Sequence, residues 1–168
     1  MPNSHDIYVT GLRNAHAMEN QALAIMKPQI SRIENYPEVA QRLEQHVRET
    51  EQQLKRLDTL LEREGESNSG LKDAALGIGG SLAAMSHSMA PDEIVKNSFA
   101  NFAFEHYEIA AYKSLLALAQ DAGDQDAARV LQQNLEEEIA MSEWLDQNIE
   151  PLTRKYASLS ASGADAKH

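Results

Sequence analysis

The chain has 168 residues, enough for one domain with a substantial core, and its Ala-, Leu-, Glu- and Gln-rich composition with 5% aromatics favours helix over sheet. A formal net charge of −11 argues against a nucleic-acid partner, and the absence of cysteine excludes disulfides, zinc–thiolate sites and iron–sulfur clusters. No apolar run is long enough to span a membrane and no basic-then-apolar leader opens the chain, so the expected location is the cytoplasm.

Asn3, Ser4 and Asp6 form a helix start signal. From about residue 5 to 33, Tyr8, Leu12, Ala15, Leu23, Met26 and Ile30 recur at steps of three and four, which predicts a first helix. Glu19 lies at the centre of that stripe. Pro28 predicts a kink, and Asn35-Tyr36-Pro37 ends the element. The second helix is expected over about 37–64, with Pro37 in its first turn and a seam through Leu43, Val47, Thr50, Leu54, Leu57 and Leu61. His46 and Glu49, one turn apart, sit on the edge of this seam. Residues 65–90 read as a long connection holding a short extra helix over 71–88, weakened by Gly77, Gly79 and Gly80.

Pro91 restarts regular structure, and a third helix is expected over about 91–120. It concentrates the chemistry of the chain in Phe104-Glu105-His106-Tyr107-Glu108-Ile109-Ala110-Ala111-Tyr112. Glu105 and Glu108 point to one side, and Glu108 falls inside the apolar stripe between Phe104, Tyr112 and Leu115. Asp121-Ala122-Gly123-Asp124 is a turn. The fourth helix, about 125–156, buries Ala128, Leu131, Leu135, Ile139, Leu145, Ile149 and Leu152, with Glu138 in mid-stripe and Pro151 as a kink or fraying point. The Ser/Ala/Gly-rich residues 157–168 are expected to be a disordered tail. The first helix laid on the third matches Glu19 with Glu108. The second laid on the fourth matches Leu43 with Leu131, Val47 with Leu135, Glu49 with Glu137 and Leu57 with Leu145. Two similar hairpins joined by a long crossover predict an all-α four-helix bundle occupying residues 1–156.

Levels follow from counting. Glu19 and Glu49 are equidistant from the Asn35-Tyr36-Pro37 break, and Glu108 and Glu138 are equidistant from Gly123, so each helix brings a carboxylate to one height. No Lys or Arg lies on these stripes to neutralise them. Carboxylates gathered in a core repel and raise one another's pKa, and two bridged divalent cations relieve that. Oxygen ligands with one imidazole suit iron or manganese better than copper or zinc. Glu137 competes with Glu138 for the fourth-helix role: the repeat favours Glu137 and the stripe favours Glu138. His16 and His106 read as packing or solvated residues, and His5, His87 and His168 as surface. Tyr107 and Tyr112 lie near the site as packing residues or hydrogen-bond partners.

Glu105-His106-Tyr107-Glu108 with Tyr112, followed by Glu136-Glu137-Glu138, resembles the ferritin-like di-iron superfamily in its rubrerythrin branch. Glu19-Asn20-Gln21, His46 with Glu49-Thr50, and Arg56-Leu57 make the chain more specifically similar to the YciE/YciF family of bacterial stress proteins. The resemblance covers about residues 6–155. It implies a homodimer, a centre of two iron ions (or manganese), and Glu19, His46, Glu49, Glu105, Glu108 and Glu138 as ligands. The inward carboxylates at one level lead to the expectation of a non-haem di-iron protein that oxidises Fe(II) with O2 or peroxide. Two departures stand out: the superfamily's Glu-x-x-His is reversed here as His46-x-x-Glu49, and Met141 occupies the fourth helix's histidine position. With no cysteine the chain lacks its own iron–sulfur relay, so self-contained peroxide reduction of the rubrerythrin type is not expected. With no regular fifth helix or basic tail, neither a ferritin cage nor a DNA-protecting one is expected. The alternative is a structural or interaction bundle without turnover, using the Gly/Ala-rich 74–90 stretch and the first hairpin turn as contact surfaces.

Overall fold

The computed structural model describes residues 3–66 and 87–168. Four helices account for most of them: α1 (Ser4–Ile30), α2 (Pro37–Arg63), α3 (Glu93–Asp121) and α4 (Gln125–Ala161). The extra helix expected over 71–88, and most of the 74–90 surface, lie outside the described residues. Asn3 caps α1 through a capping box with Asp6, and Pro37 opens α2 as its sequence position predicts. Gly123 turns α3 into α4 with φ +73, a conformation that side-chain-bearing residues rarely adopt. Pro28 and Pro151 both lie inside their helices rather than ending them. Each sits on an exposed face, as does the residue one turn earlier (Ala24, Gln147) whose carbonyl loses its partner.

α1 packs on α2 and α3, and α4 packs on α3 and α2. Cross-helix pairs give the directions: Gln29 meets Asn101 and Tyr112 meets Glu19, while Arg56 meets Glu137 and Lys155 meets Glu38. Neighbouring helices are therefore antiparallel all round the bundle. α3 begins beside the end of α1, where Arg32 holds Glu93, whereas α2 ends beside the start of α1, where Glu64 meets His5. This is the four-helix bundle with one long crossover that the sequence predicts. Among the described residues no helix is long and apolar enough to cross a membrane.

Two readings need correction. The α2 face turned inward runs through Leu43, His46, Thr50, Gln53 and Leu57, while Val47 and Leu54 are only half-buried. The two candidate seams differ by less than a third of a turn, and the longer apolar run marked the wrong one. The chain beyond residue 156 is also not a loose tail. α4 continues to Ala161, Gly163 makes a left-handed turn, and the last residues fold back over the end of the bundle. Tyr36 Oη donates to the Ala166 carbonyl at 2.7 Å, Asn35 N to the His168 carbonyl at 2.8 Å and Ile94 N to the Lys167 carbonyl at 3.2 Å. The last bond satisfies a donor at the start of α3, where Asp92 provides no side-chain cap. Lys167 and His168, at 3.7 and 3.4 Å, join Arg32 around the buried Glu93 carboxylate, so His168 is half-buried rather than free on the surface. The bonds from Tyr36, Asn35 and Ile94 all end on backbone carbonyls, and Ser/Ala/Gly composition carries no sign of those. Tyr36→Phe is expected to cost about 1–3 kcal/mol, because the buried Ala166 carbonyl loses its donor; urea unfolding checks this.

Candidate metal centre

The core is divided in two. One apolar cluster is built from Tyr8, Leu12, Leu57, Leu61, Leu115 and Leu131, among others, and a second from Met26, Tyr36, Leu43, Ile94, Met141 and Leu145. Between them lies a fully buried polar belt containing Glu19, His46, Thr50, Gln53, Glu105, Glu108, Tyr112 and Glu138. The flanking apolar clusters lower the local dielectric and make each charge in the belt expensive.

His46, Glu105, Glu108 and Glu138 each turn a ligand atom to a common point, and those atoms lie within 4.8 Å of one another. His46 Nε2 is 3.3 Å from Glu105 Oε2 and 3.3 Å from Glu138 Oε2. Its other nitrogen, Nδ1, is 2.9 Å from Glu49 Oε2. Arg42 Nη1 at 3.2 Å and Gln45 Nε2 at 2.8 Å complete the surroundings of Glu49. Glu49 is therefore not in the group. It stands behind the imidazole, fixing the ring so that Nε2 faces inward, an arrangement that raises ligand basicity at metal-binding histidines. Burial alone would raise the Glu49 carboxyl, but the bonds from His46 and Gln45 and the charge of Arg42 hold it at about 2. Glu49→Gln is expected to fold normally and lose about 10–100-fold in metal affinity, read by manganese titration.

Glu19, on α1, is fully buried in the same belt but is not one of these four. It accepts a hydrogen bond from Tyr112 Oη, which in turn accepts from Asn134 Nδ2 at 3.1 Å. Glu138 accepts from Gln53 Nε2. Glu137 faces outward, paired with Arg56 at 2.8 and 3.0 Å, so the stripe and not the repeat identifies the inward α4 acid. His16 contacts Asp58 at 3.0 Å, and His106 stacks edge-on against Phe102 and touches Ser142, outside the belt. Gln53 and Asn134 were not singled out in the sequence. Gln53 had a legible signal, since His46, Thr50 and Gln53 repeat at four and three on one face. Asn134 had none.

The electrostatics show what the belt lacks. Burial, with the charge of Glu138 next, raises Glu19 and Glu108 well above the usual carboxyl range; the Tyr112 bond only partly offsets this for Glu19. Burial lifts Glu105 to about 8 against the pull of His46. Burial disfavours the His46 imidazolium, yet the Glu105 charge and the bonds with Glu105, Glu138 and Glu49 hold it well above the usual range. Burial also works against the Glu138 anion, but the His46 bond and charge hold that carboxyl below its ordinary value. Even so, Glu19 Oε2, His46 Nε2, Glu105 Oε2, both Glu108 oxygens and Glu138 Oε2 have no well-formed hydrogen bond. Buried polar atoms are rarely left so. An acidic, oxygen-rich set with one oriented imidazole is a donor set for hard or borderline divalent cations, and these residues could hold such an ion.

A four-helix bundle with one long crossover, its core interrupted by carboxylates and a histidine, has the architecture of ferritin-like folds. Residues 3–158 match the model of the family described as Domain of unknown function (DUF892), and the chain belongs to that family. It is 28% identical over 148 residues to Protein YciF of Escherichia coli (strain K12), covering 83% of this chain and 86% of that protein. A crystal structure of a protein from Xanthomonas campestris pv. campestris is similar with a TM-score of 0.81 and 35% identity, covering 95% of this chain and 99% of that one. The crystal structure of the E. coli stress protein YciF shares the fold at a TM-score of 0.67 and 24% identity, covering 89% and 96%.

Proposed function

We propose that the belt holds two iron ions, or manganese, and that the protein oxidises Fe(II) with O2 or peroxide as part of a bacterial stress response. The observation that carries this reading is the set of unpartnered, fully buried acidic oxygens converging on His46 Nε2. Glu105, His46 and Glu138 would hold one ion, Glu19 the other, with Glu108 and Glu138 placed to serve both. Two ferrous ions would each give up one electron, and with two protons from solvent these would take a peroxide to two waters, or O2 to hydrogen peroxide. The chain's own contribution is to orient His46 through Glu49, to exclude bulk water with the two apolar clusters, and to hold protons on Glu19, Glu105 and Glu108 until cations displace them. The relative named a stress protein supports the physiological setting. The test is anaerobic loading with Fe(II), followed by air or by peroxide, with residual ferrous iron measured by chelator. Rapid loss of two Fe(II) per chain supports turnover; loss at the rate of free iron contradicts it.

A second reading, a bundle that associates with another copy and has no turnover, is favoured by a different observation. Phe99, Ala103 and Tyr107 form an exposed row on α3, with Phe99 at 51% and Tyr107 at 63% exposure. Two large exposed side chains two turns apart, with a small alanine between them, suit a homodimer contact. Mass in solution and iron turnover are separate measurements, and a dimer without iron chemistry would favour this reading.

A further inference from the structure

α2 faces the belt with three polar residues in succession, His46, Thr50 and Gln53, all fully buried. Glu49, the acid that would otherwise serve from this helix, has both oxygens engaged by His46, Arg42 and Gln45. Gln53 Nε2 lies 3.0 Å from Glu137 Oε2 and also donates to Glu138 Oε1. Contact with two carboxylates fixes which end of the amide is nitrogen. The remaining corner, Gln53 Oε1, is a buried acceptor with no donor, and so is Thr50 Oγ1 one turn nearer His46. An unfilled amide oxygen in a dry core costs free energy, and a cation removes that cost.

Glu138 shows how the belt divides. Its Oε2 faces His46 at 3.3 Å, and its Oε1 faces Gln53. The carboxylate thus has an imidazole pole and an amide pole. Glu105 belongs to the first, through its 3.3 Å approach to His46. Resting on the two-cation reading above, we infer that Gln53 Oε1 is a ligand of the second cation, the one served by Glu19. Gln53 then takes on α2 the place that Glu49 has left, and each cation has one uncharged ligand: the His46 imidazole at one position, the Gln53 amide oxygen at the other.

Manganese(II) tests this without reference to turnover. Wild-type protein is expected to take up two Mn(II) by calorimetry and to show the electron-paramagnetic signature of a coupled pair. Gln53→Leu, which folds around a side chain of similar size, is expected to keep one Mn(II) as an isolated ion and to bind the second roughly 10-fold or more weakly. Gln53→Glu separates a ligand from a mere hydrogen-bond donor. A ligand oxygen replaced by carboxylate keeps both ions and tightens the second, whereas loss of a donor beside Glu137 and Glu138 weakens both. Two Mn(II) of unchanged affinity in Gln53→Leu overturns the inference and leaves the metal centre standing. Weakening of both ions in Gln53→Glu does the same, and remains readable if the leucine variant does not fold. A wild-type protein that takes up neither Mn(II) nor Fe(II) overturns both.

Discussion

Replacing Glu108 with leucine is expected to make the metal-free protein more stable while reducing its metal content from two ions to one or none. Glu108 is fully buried, and neither of its oxygens has a partner. Burial, together with the charges of Glu138, Glu19 and Glu105, keeps its carboxyl well above the usual range. Metal-free folding therefore carries an unsatisfied carboxyl between two apolar clusters. A leucine of comparable volume removes that cost, about 1–3 kcal/mol, and a chain of this size should gain roughly 2–4 °C in thermal midpoint per kcal/mol. Removing acids is rarely stabilising unless they were held for another purpose. Thermal unfolding in chelator and metal analysis of the same sample read the two effects together. A variant that is less stable and still binds two ions would remove Glu108 from the centre.

The metal-free protein is expected to lose stability as pH rises from about 4.5 to about 8, opposite to the trend that ion-paired acids impose. Burial raises Glu105 from 4.5 to about 8, so the folded state binds its proton more tightly than the unfolded state does. Its contribution is complete below about 4.5 and disappears as pH climbs through about 8. Glu19, Glu108 and His46 are shifted in the same direction and add to the slope. Glu49, held at about 2, and Glu138, held below its ordinary value by His46, work the other way: their stabilisation is present above 4.5 and is lost as pH falls below it. Metal-free stability should therefore peak in mild acid and drop by a few kcal/mol by pH 8. Divalent cations displace the protons, so the increment on adding Mn(II) should be larger at pH 8 than at pH 5.5. Urea titrations at the two pH values, with and without Mn(II), read both. A metal-free midpoint that rises across this window would contradict the electrostatics of the belt.

Much of the site was legible because helical periodicity reports side-chain direction. Glu19, Glu108 and Glu138 were placed inward by the spacing of their apolar neighbours, and all three are fully buried. Counting outward from the turns set their common height, because antiparallel hairpins convert sequence distance into level. α2 was harder: its inward face is half polar, so the apolar pattern followed Val47 and Leu54 and left His46 at the margin. The face of Glu49 was legible and its partners were not, because periodicity gives a face alone; His46, Arg42 and Gln45, all on the same helix, engage both its oxygens. The closing segment around Ala166 was invisible because its bonds run through backbone atoms.

The central claim is that the buried acids exist to hold cations. Elemental analysis of freshly purified, untagged protein tests it most directly. Close to two iron or manganese ions per chain, lost in a Glu108 variant of unchanged helix content, is the expected result. A wild-type protein free of metal, and unchanged in thermal midpoint when Fe(II) is added anaerobically, would contradict it and leave the belt as a protonated core in an interaction bundle.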